Sequence, residues 1–172
     1  MIKLIPMTLT THAIVGASIA NILPSHPVLG FTAGFVSHFL LDAIPHWDYF
    51  LASVKKDPDN PMNNDIAFNK NFIFDLFKMG ADAALGIIIS LFLFGFSNSH
   101  LIWMPLWGAI GALTPDALQF VYLKWRYEPI KSLQRFHIWI HGKEKLNSRP
   151  VLGIFLQIVV ILFFVAISKL VA

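Results

Sequence analysis

Apolar residues along this chain fall into five long runs, parted by short polar breaks and two longer polar stretches. The runs at 7–23, 27–45, 72–97, 100–124 and 150–171 each approach the roughly 20 apolar positions that a helix needs to cross the hydrocarbon core of a bilayer. The pattern predicts an all-α integral membrane protein, a bundle of about five transmembrane helices forming one domain over 1–172. The first run could pass for a secretory signal behind Lys3. However, His12 interrupts its apolar centre, and Pro24 with Pro27 turns the chain straight into the next run, so a retained helix is expected. In the fourth run, Thr114-Pro115-Asp116 reads as an N-cap, a first-turn proline and an acid at a helix start, which predicts a kink or break.

The two longer polar stretches differ in kind. Residues 46–71 centre on DPDNPMNND, dense in turn-forming residues, and predict an irregular or mobile loop. In the stretch 125–149, Ile130, Leu133, Phe136, His137, Ile140 and His141 recur near helical spacing opposite Lys131 and Arg135. That spacing predicts an amphipathic helix lying on the membrane surface between the fourth and fifth spans.

Composition supports the membrane class, with 56% hydrophobic residues and only 13% charged. The absence of cysteine excludes disulfides, iron–sulfur clusters, thiolate zinc sites and cysteine nucleophiles, so any metal would rest on His and carboxylate. A formal charge of +3 does not point to nucleic acid, because basic loops are the ordinary outcome of membrane topology. Placing the N-terminus and both long polar stretches on one side gathers twelve of the thirteen Lys and Arg residues there, leaving Lys169 alone on the other. The expected location is a cell inner (plasma) membrane, multi-pass, with the N-terminus cytoplasmic and the C-terminus outside. The bilayer is the one partner this implies, and the oligomeric state stays open.

On that topology the ionisable residues converge. His12 falls within about two turns of the cytoplasmic end of the first span, His38 about 10 Å inside the end of the second, and Asp82 and Asp116 about 12 to 15 Å into the third and fourth. A carboxylate inside a span costs a few kcal/mol, so such groups face the bundle interior and have partners. His38 and Asp42 lie one turn apart on one helix face. Asp42 also sits at the negative end of its helix, where something positive must compensate it. A divalent cation would do so, and His46 and Asp48, just past Pro45, could add ligands from the loop. A mixed set of imidazole and carboxylate suits zinc, manganese or iron better than calcium or magnesium. Each residue also has a plainer role open to it: a buried hydrogen-bonded pair for His38 and Asp42, a first-turn acid for Asp116, a salt bridge to Lys78 for Asp82. Interfacial positions in the far-side turns are expected for His26 and His100.

THAIVGASIA, SHFLLDAIPHWD, GADAALG and GALTPDALQ together resemble the small bacterial inner-membrane proteins described as membrane-bound, metal-dependent hydrolases, a group with a LexA-regulated member. The resemblance runs over most of the first 120 residues. It implies a zinc-dependent, phospholipase-like site on His12, His38, Asp42 and Asp116, with His46 and Asp82 in support. The expected activity is hydrolysis of a phosphoester or ester in a lipid-like, amphiphilic substrate at the cytoplasmic face. Asp82 or Asp48 would accept the proton of the attacking water. Arg126, Arg135, His137 and His141 would contact the substrate, and Lys55, Lys56 and Lys143 could add to the hold on an anionic headgroup. Two other classes stay open: a transporter that relays protons or a cation through the same residues, and a non-catalytic scaffold whose His/Asp cluster only locks helix packing.

Overall fold

The computed structural model describes residues 8–23, 26–95, 103–141 and 146–171. Lys3, Pro24, His100 and Lys143 lie outside the described residues. Six α-helices follow in chain order: α1 Leu9–Asn21, α2 Pro27–Asp42, α3 Lys70–Phe94, α4 Trp103–Tyr122, α5 Ile130–Ile140 and α6 Pro150–Val171. The helical character and the extra helix between the fourth and fifth runs are as the periodicity predicts.

The membrane-spanning count differs. Among the described residues two helices, α3 and α6, are long and apolar enough to cross a membrane, not about five. Helix α1 has 13 residues and α2 has 16, or about 20 and 24 Å at 1.5 Å per residue, against roughly 30 Å of hydrocarbon. Helix α2 stops at Asp42, three residues before Pro45. Helix α4 has 20 residues but dilutes its apolar character with Thr114, Pro115, Asp116 and Gln119.

Nor is α4 broken. It runs continuously through Pro115, which sits in its interior. A proline there removes one backbone N–H and crowds the carbonyl one turn back, so the preceding turn is left with acceptors to satisfy. The Thr114 hydroxyl donates to Ile110 O at 2.7 Å, and a side chain from α2 reaches Ala112 O, as described below.

Helix α1 lies at the centre. Ten of its thirteen residues are buried, enclosed by α2, α3, α4 and α6. Small residues make the close approach possible. A Cβ built on Gly16 of α1 would lie 2.5 Å from the carbonyl oxygen of Gly108 on α4, and one on Gly34 of α2 would collide with that same oxygen. On α3, a Cβ at Gly86 would stand 2.7 Å from Thr10 Cα. Backbones therefore touch along one seam, the arrangement small residues allow between apolar helices. By contrast, the outer faces of α3 and α6 expose large apolar groups such as Phe77, Phe92, Val151 and Leu162.

The stretch expected to be irregular is in part ordered. Val54–Lys55 (β1) pairs antiparallel with Asp65–Ile66 (β2), Val54 facing Ile66 and Lys55 facing Asp65. Residues outside it hold this hairpin down. Asp75 of α3 accepts from both the amide and the hydroxyl of Ser53 at 2.7 Å, Lys124 pairs with Asp65 at 2.7 Å, and Tyr122 donates to Met62 O.

The seam predicts a contrast between two glycines. Gly108→Leu should lower stability by about 1–3 kcal/mol or prevent folding, since its side chain would displace backbone. Gly80→Ala, where nothing lies within 4 Å, should gain about 0.5–1 kcal/mol from helix propensity. Thermal unfolding in detergent checks both, and equal effects of the two substitutions would disprove the close packing.

Candidate metal centre

The glycine seam also sets where the ionisable residues meet. His12 lies one turn before Gly16, His38 one turn after Gly34, and Asp116 two turns after Gly108. Backbones in contact at the glycines therefore bring these three side chains together one or two turns away. Asp42 follows one turn beyond His38 on the same face, and α5 adds His137 with His141 at its C-terminal end. The loop after α2 supplies His46 and Asp48. Five histidines and three aspartates result, all buried.

Asp42 is the hub. Its Oδ1 lies 3.3 Å from His12 Nε2, and its Oδ2 lies 2.6 Å from His137 Nε2, 3.2 Å from His38 Nε2 and 3.9 Å from His141 Nε2. His38 is the second node, with Nε2 at 3.3 Å from His137 Nε2 and 3.8 Å from Asp116 Oδ1. The His12 and His38 rings stack at 4.1 Å. His46 Nε2 lies 2.8 Å from Asp48 Oδ1.

Ring orientation is imposed from behind. His38 Nδ1 is 2.8 Å from Ala112 O on α4, and His46 Nδ1 is 2.7 Å from Ile44 O. Carbonyls only accept, so each Nδ1 carries the hydrogen and donates it. Each neutral ring then turns an Nε2 lone pair into the cluster, the arrangement in which histidine binds metal with a carbonyl as outer partner. There the lone pairs of His38 and His46 meet carboxylate oxygens, which also only accept. Acceptor facing acceptor at 3.2 Å needs a cation between, either a proton or a metal ion.

Two further features fit a metal. Both ring nitrogens of His12, Asp42 Oδ1 and both oxygens of Asp116 are buried with no hydrogen-bond partner among the described residues, a state that natural cores avoid. The spacing fits as well: two ligand atoms each about 2.1 Å from one tetrahedral ion stand about 3.4 Å apart. The contacts of 3.2 and 3.3 Å that His12, His38, Asp42 and His137 make match that edge.

The ligand atoms gather as three overlapping trios, His12–His38–Asp42, His38–Asp116–His137 and Asp42–His46–His141, with the atoms of each trio within 4.8 Å of one another. Each trio could hold a metal ion. His12, His38, Asp42 and Asp116, expected as one set, are thus shared between adjoining trios that meet at His38 and Asp42.

The remaining sequence candidates are placed elsewhere or differently. Asp82 sits at the N-terminus of α1, where its carboxylate accepts from Leu9 N at 2.6 Å, Thr10 N at 3.2 Å and the Thr10 hydroxyl at 2.6 Å. It thus caps a helix whose own Thr8 makes no capping bond. Lys78, the expected partner of Asp82, instead lies 3.7 Å from Asp75 and donates to Phe50 O. Arg126 is tied to the carbonyls of Asn63 and Asn64, and Arg135 is exposed. His137 and His141, expected at headgroup level against substrate, are buried in the cluster instead. Their i, i+4 spacing was the available signal, and the aromatic residues around it disguised which face turns inward. His26 is exposed at the start of α2. Tyr49, beside the site, has its hydroxyl buried. Burial first, then the nearby carboxylates of Asp82, Asp116 and Asp48, holds its pKa above the usual tyrosine range.

Comparison with family models, with curated proteins and with solved structures gives no match for this chain. The class defined by the fold and the cluster is therefore a helical bundle with a buried His/Asp centre able to hold metal.

Asp42→Asn and Asp82→Asn should separate the two kinds of carboxylate. The first should cut bound divalent metal at least about tenfold. The second should keep the metal and cost about 1 kcal/mol of stability through the weakened cap. Elemental mass spectrometry on untagged protein, with a melting curve on the same sample, reads both, and full metal content in Asp42→Asn would remove Asp42 from the ligand set.

Proposed function

We propose that this chain is a membrane-embedded, metal-dependent hydrolase of the inner membrane, cleaving an ester or phosphoester of a lipid-like substrate at the cytoplasmic face. The observation that carries the reading is the convergence, in one buried volume, of His12, His38, Asp42, His46, Asp48, Asp116, His137 and His141 from α1, α2, α4, α5 and a loop. The resemblance noted in the sequence points the same way, as do the apolar outer faces of α3 and α6. On this reading α3 and α6 hold the bundle in the membrane, with α1 packed against both.

Zinc is the metal the donor set suits best, with manganese or iron as alternatives. Bound among these residues, it would acidify water and polarise the scissile carbonyl or phosphoryl group. Asp42, with histidines beside both oxygens, would be a ligand together with His12, His38 and His137. His38 and His46 hold their Nε2 atoms inward through the Nδ1–H bonds to Ala112 and Ile44. Asp48, with Oδ1 2.8 Å from His46 Nε2, is the carboxylate placed to take a proton from water, now that Asp82 is committed to the α1 cap. Ala112 O and Ile44 O keep both rings from rotating as charge develops.

A route across the membrane would need ionisable groups along the other half of the bundle. On α1 beyond His12 the polar side chains are Ser18, bonded to Ile14 O, and Asn21, bonded to Ser168. This favours chemistry over transport.

Purified protein should hydrolyse p-nitrophenyl esters or bis-p-nitrophenyl phosphate in micelles. A chelator should abolish the activity, and zinc or manganese should restore it. His38→Ala and Asp116→Asn should each lower kcat/KM by about a thousandfold, the several kcal/mol a metal contributes to the transition state. Activity that survives both substitutions and the chelator would sink the proposal.

A further inference from the structure

Helix α6 supplies no residue to the three trios, yet it touches the loop that does. Its buried residues are Gly153, Gln157 and Ser168, on a helix whose other positions are mostly apolar and turned outward. A carboxamide buried in an apolar helix is costly unless its polar atoms are bonded. Both ends of Gln157 are bonded here. Its Nε2 donates to Trp47 O at 2.7 Å, and its Oε1 accepts from the Thr8 hydroxyl at 2.7 Å, with the Thr11 hydroxyl 3.2 Å from the same oxygen. A backbone carbonyl only accepts, so the amide nitrogen faces Trp47 and the amide oxygen faces the hydroxyls.

Trp47 stands between His46 and Asp48, so one bond to its carbonyl restrains both groups at once. Packing reinforces that bond: a Cβ on Gly153, one turn before Gln157, would collide with Trp47 Cβ and stand 3.0 Å from the Trp47 nitrogen. A neighbouring tie comes from just before α6, where Leu146 N donates to His46 O at 3.0 Å. On the other side, Thr11 directly precedes His12 on α1. Gln157 thus joins the segment bearing His12 to the segment bearing His46 and Asp48.

We propose that Gln157 is a positioning residue of the centre, fixing His46 and Asp48 through Trp47 O and setting them in register with His12. The inference rests on the metal-centre reading and gives α6 a part in it. The bond from His46 Nδ1 to Ile44 O orients the ring within its own loop, but it does not place that loop against the bundle. Gln157 does so. Outer partners that orient ligands are typically worth about 10- to 100-fold in metal affinity. A comparison within the same pair of helices is at hand: Asn21 donates to Ser168 Oγ at 3.1 Å, three turns further along α6, with no link to the loop.

The test sets Gln157→Met, close in volume, beside Ser168→Ala in the full-length protein in micelles. In chelator-treated samples, diethyl pyrocarbonate should modify His46, which is 2% exposed in the intact fold, about tenfold faster in Gln157→Met than in wild type. Ser168→Ala should leave that rate unchanged, as read by peptide mass spectrometry. In zinc titrations Gln157→Met should weaken binding about tenfold or more, and should add little to a His46→Ala background, since changes acting through one ligand are not additive. Unchanged His46 modification in Gln157→Met, an equal rise in Ser168→Ala, or additive losses of zinc affinity would overturn the proposal. If Gln157→Met fails to fold, Thr8→Val, which removes one bond to the amide oxygen and leaves α6 intact, carries the same comparison with a smaller effect of the same sign. Wild-type protein that binds no zinc but shows the contrast in His46 modification removes the metal reading and leaves the positioning of the loop standing.

Discussion

A carboxylate with no exposure at the C-terminal end of a helix is the constraint on which the rest of this structure depends. Asp42 has left water and lies where the α2 dipole is negative, so two terms oppose its charge before any partner is counted. Only positive or strongly donating groups offset this. The chain supplies four histidines from three places: His12 from α1, His38 from its own helix, His137 and His141 from α5 and its C-cap. Yet His38, turned by its bond to Ala112 O, offers a lone pair unless it takes up a second proton. The cluster is thus richer in acceptors than in donors, and a metal ion satisfies more of its atoms at once than protons do.

That cluster could not form if the helices packed at an ordinary distance. Gly16, Gly34 and Gly108 let three backbones touch, and the ionisable side chains lie one or two turns from the contact. The same closeness explains why α1 can be short. Enclosed on all sides, it does not need to match the thickness of a bilayer, only to place Leu9 and Thr10 at the Asp82 cap and His12 at Asp42. The backbone of α4 belongs to this arrangement as well: Ala112 O accepts from His38 Nδ1, so a carbonyl of one helix orients a ring on another.

Much of this was legible in the sequence, for reasons that can be named. Helices announce themselves through periodic apolar runs, and the pairing of His38 with Asp42 follows from their i, i+4 spacing. Convergence of His12, Asp42 and Asp116 needed only a common end of the bundle. What could not be read depends on long-range contact. That Asp82 caps α1 follows from Gly86 packing against Thr10, which no local pattern encodes. That α4 continues through Pro115 belongs with its packing against α1 and α2, whereas the local signal Thr-Pro-Asp is that of a helix start. Span counting failed for a related cause: an apolar run can be buried by protein as well as by lipid, and α1 is buried by protein.

Helix α5 shows most clearly why side-chain chemistry must be weighed with hydrophobic pattern. Its buried positions are Gln134 and His137, with His141 following at the cap, while Phe136 and Trp139 turn outward. The polar side therefore faces the bundle and the aromatic side faces away, the reverse of a helix held to a soluble core by apolar burial. Such a face gains little from the hydrophobic effect, so what holds it must be polar: the bond from His137 to Asp42 and the approach of His141 to the same oxygen. The outward aromatic residues would in turn find their favourable surroundings at a membrane boundary. On the proposed function the two requirements meet in one element, since a helix seated at the lipid interface is also the one that closes the centre, so lipid contact and ligand placement act on the same eleven residues.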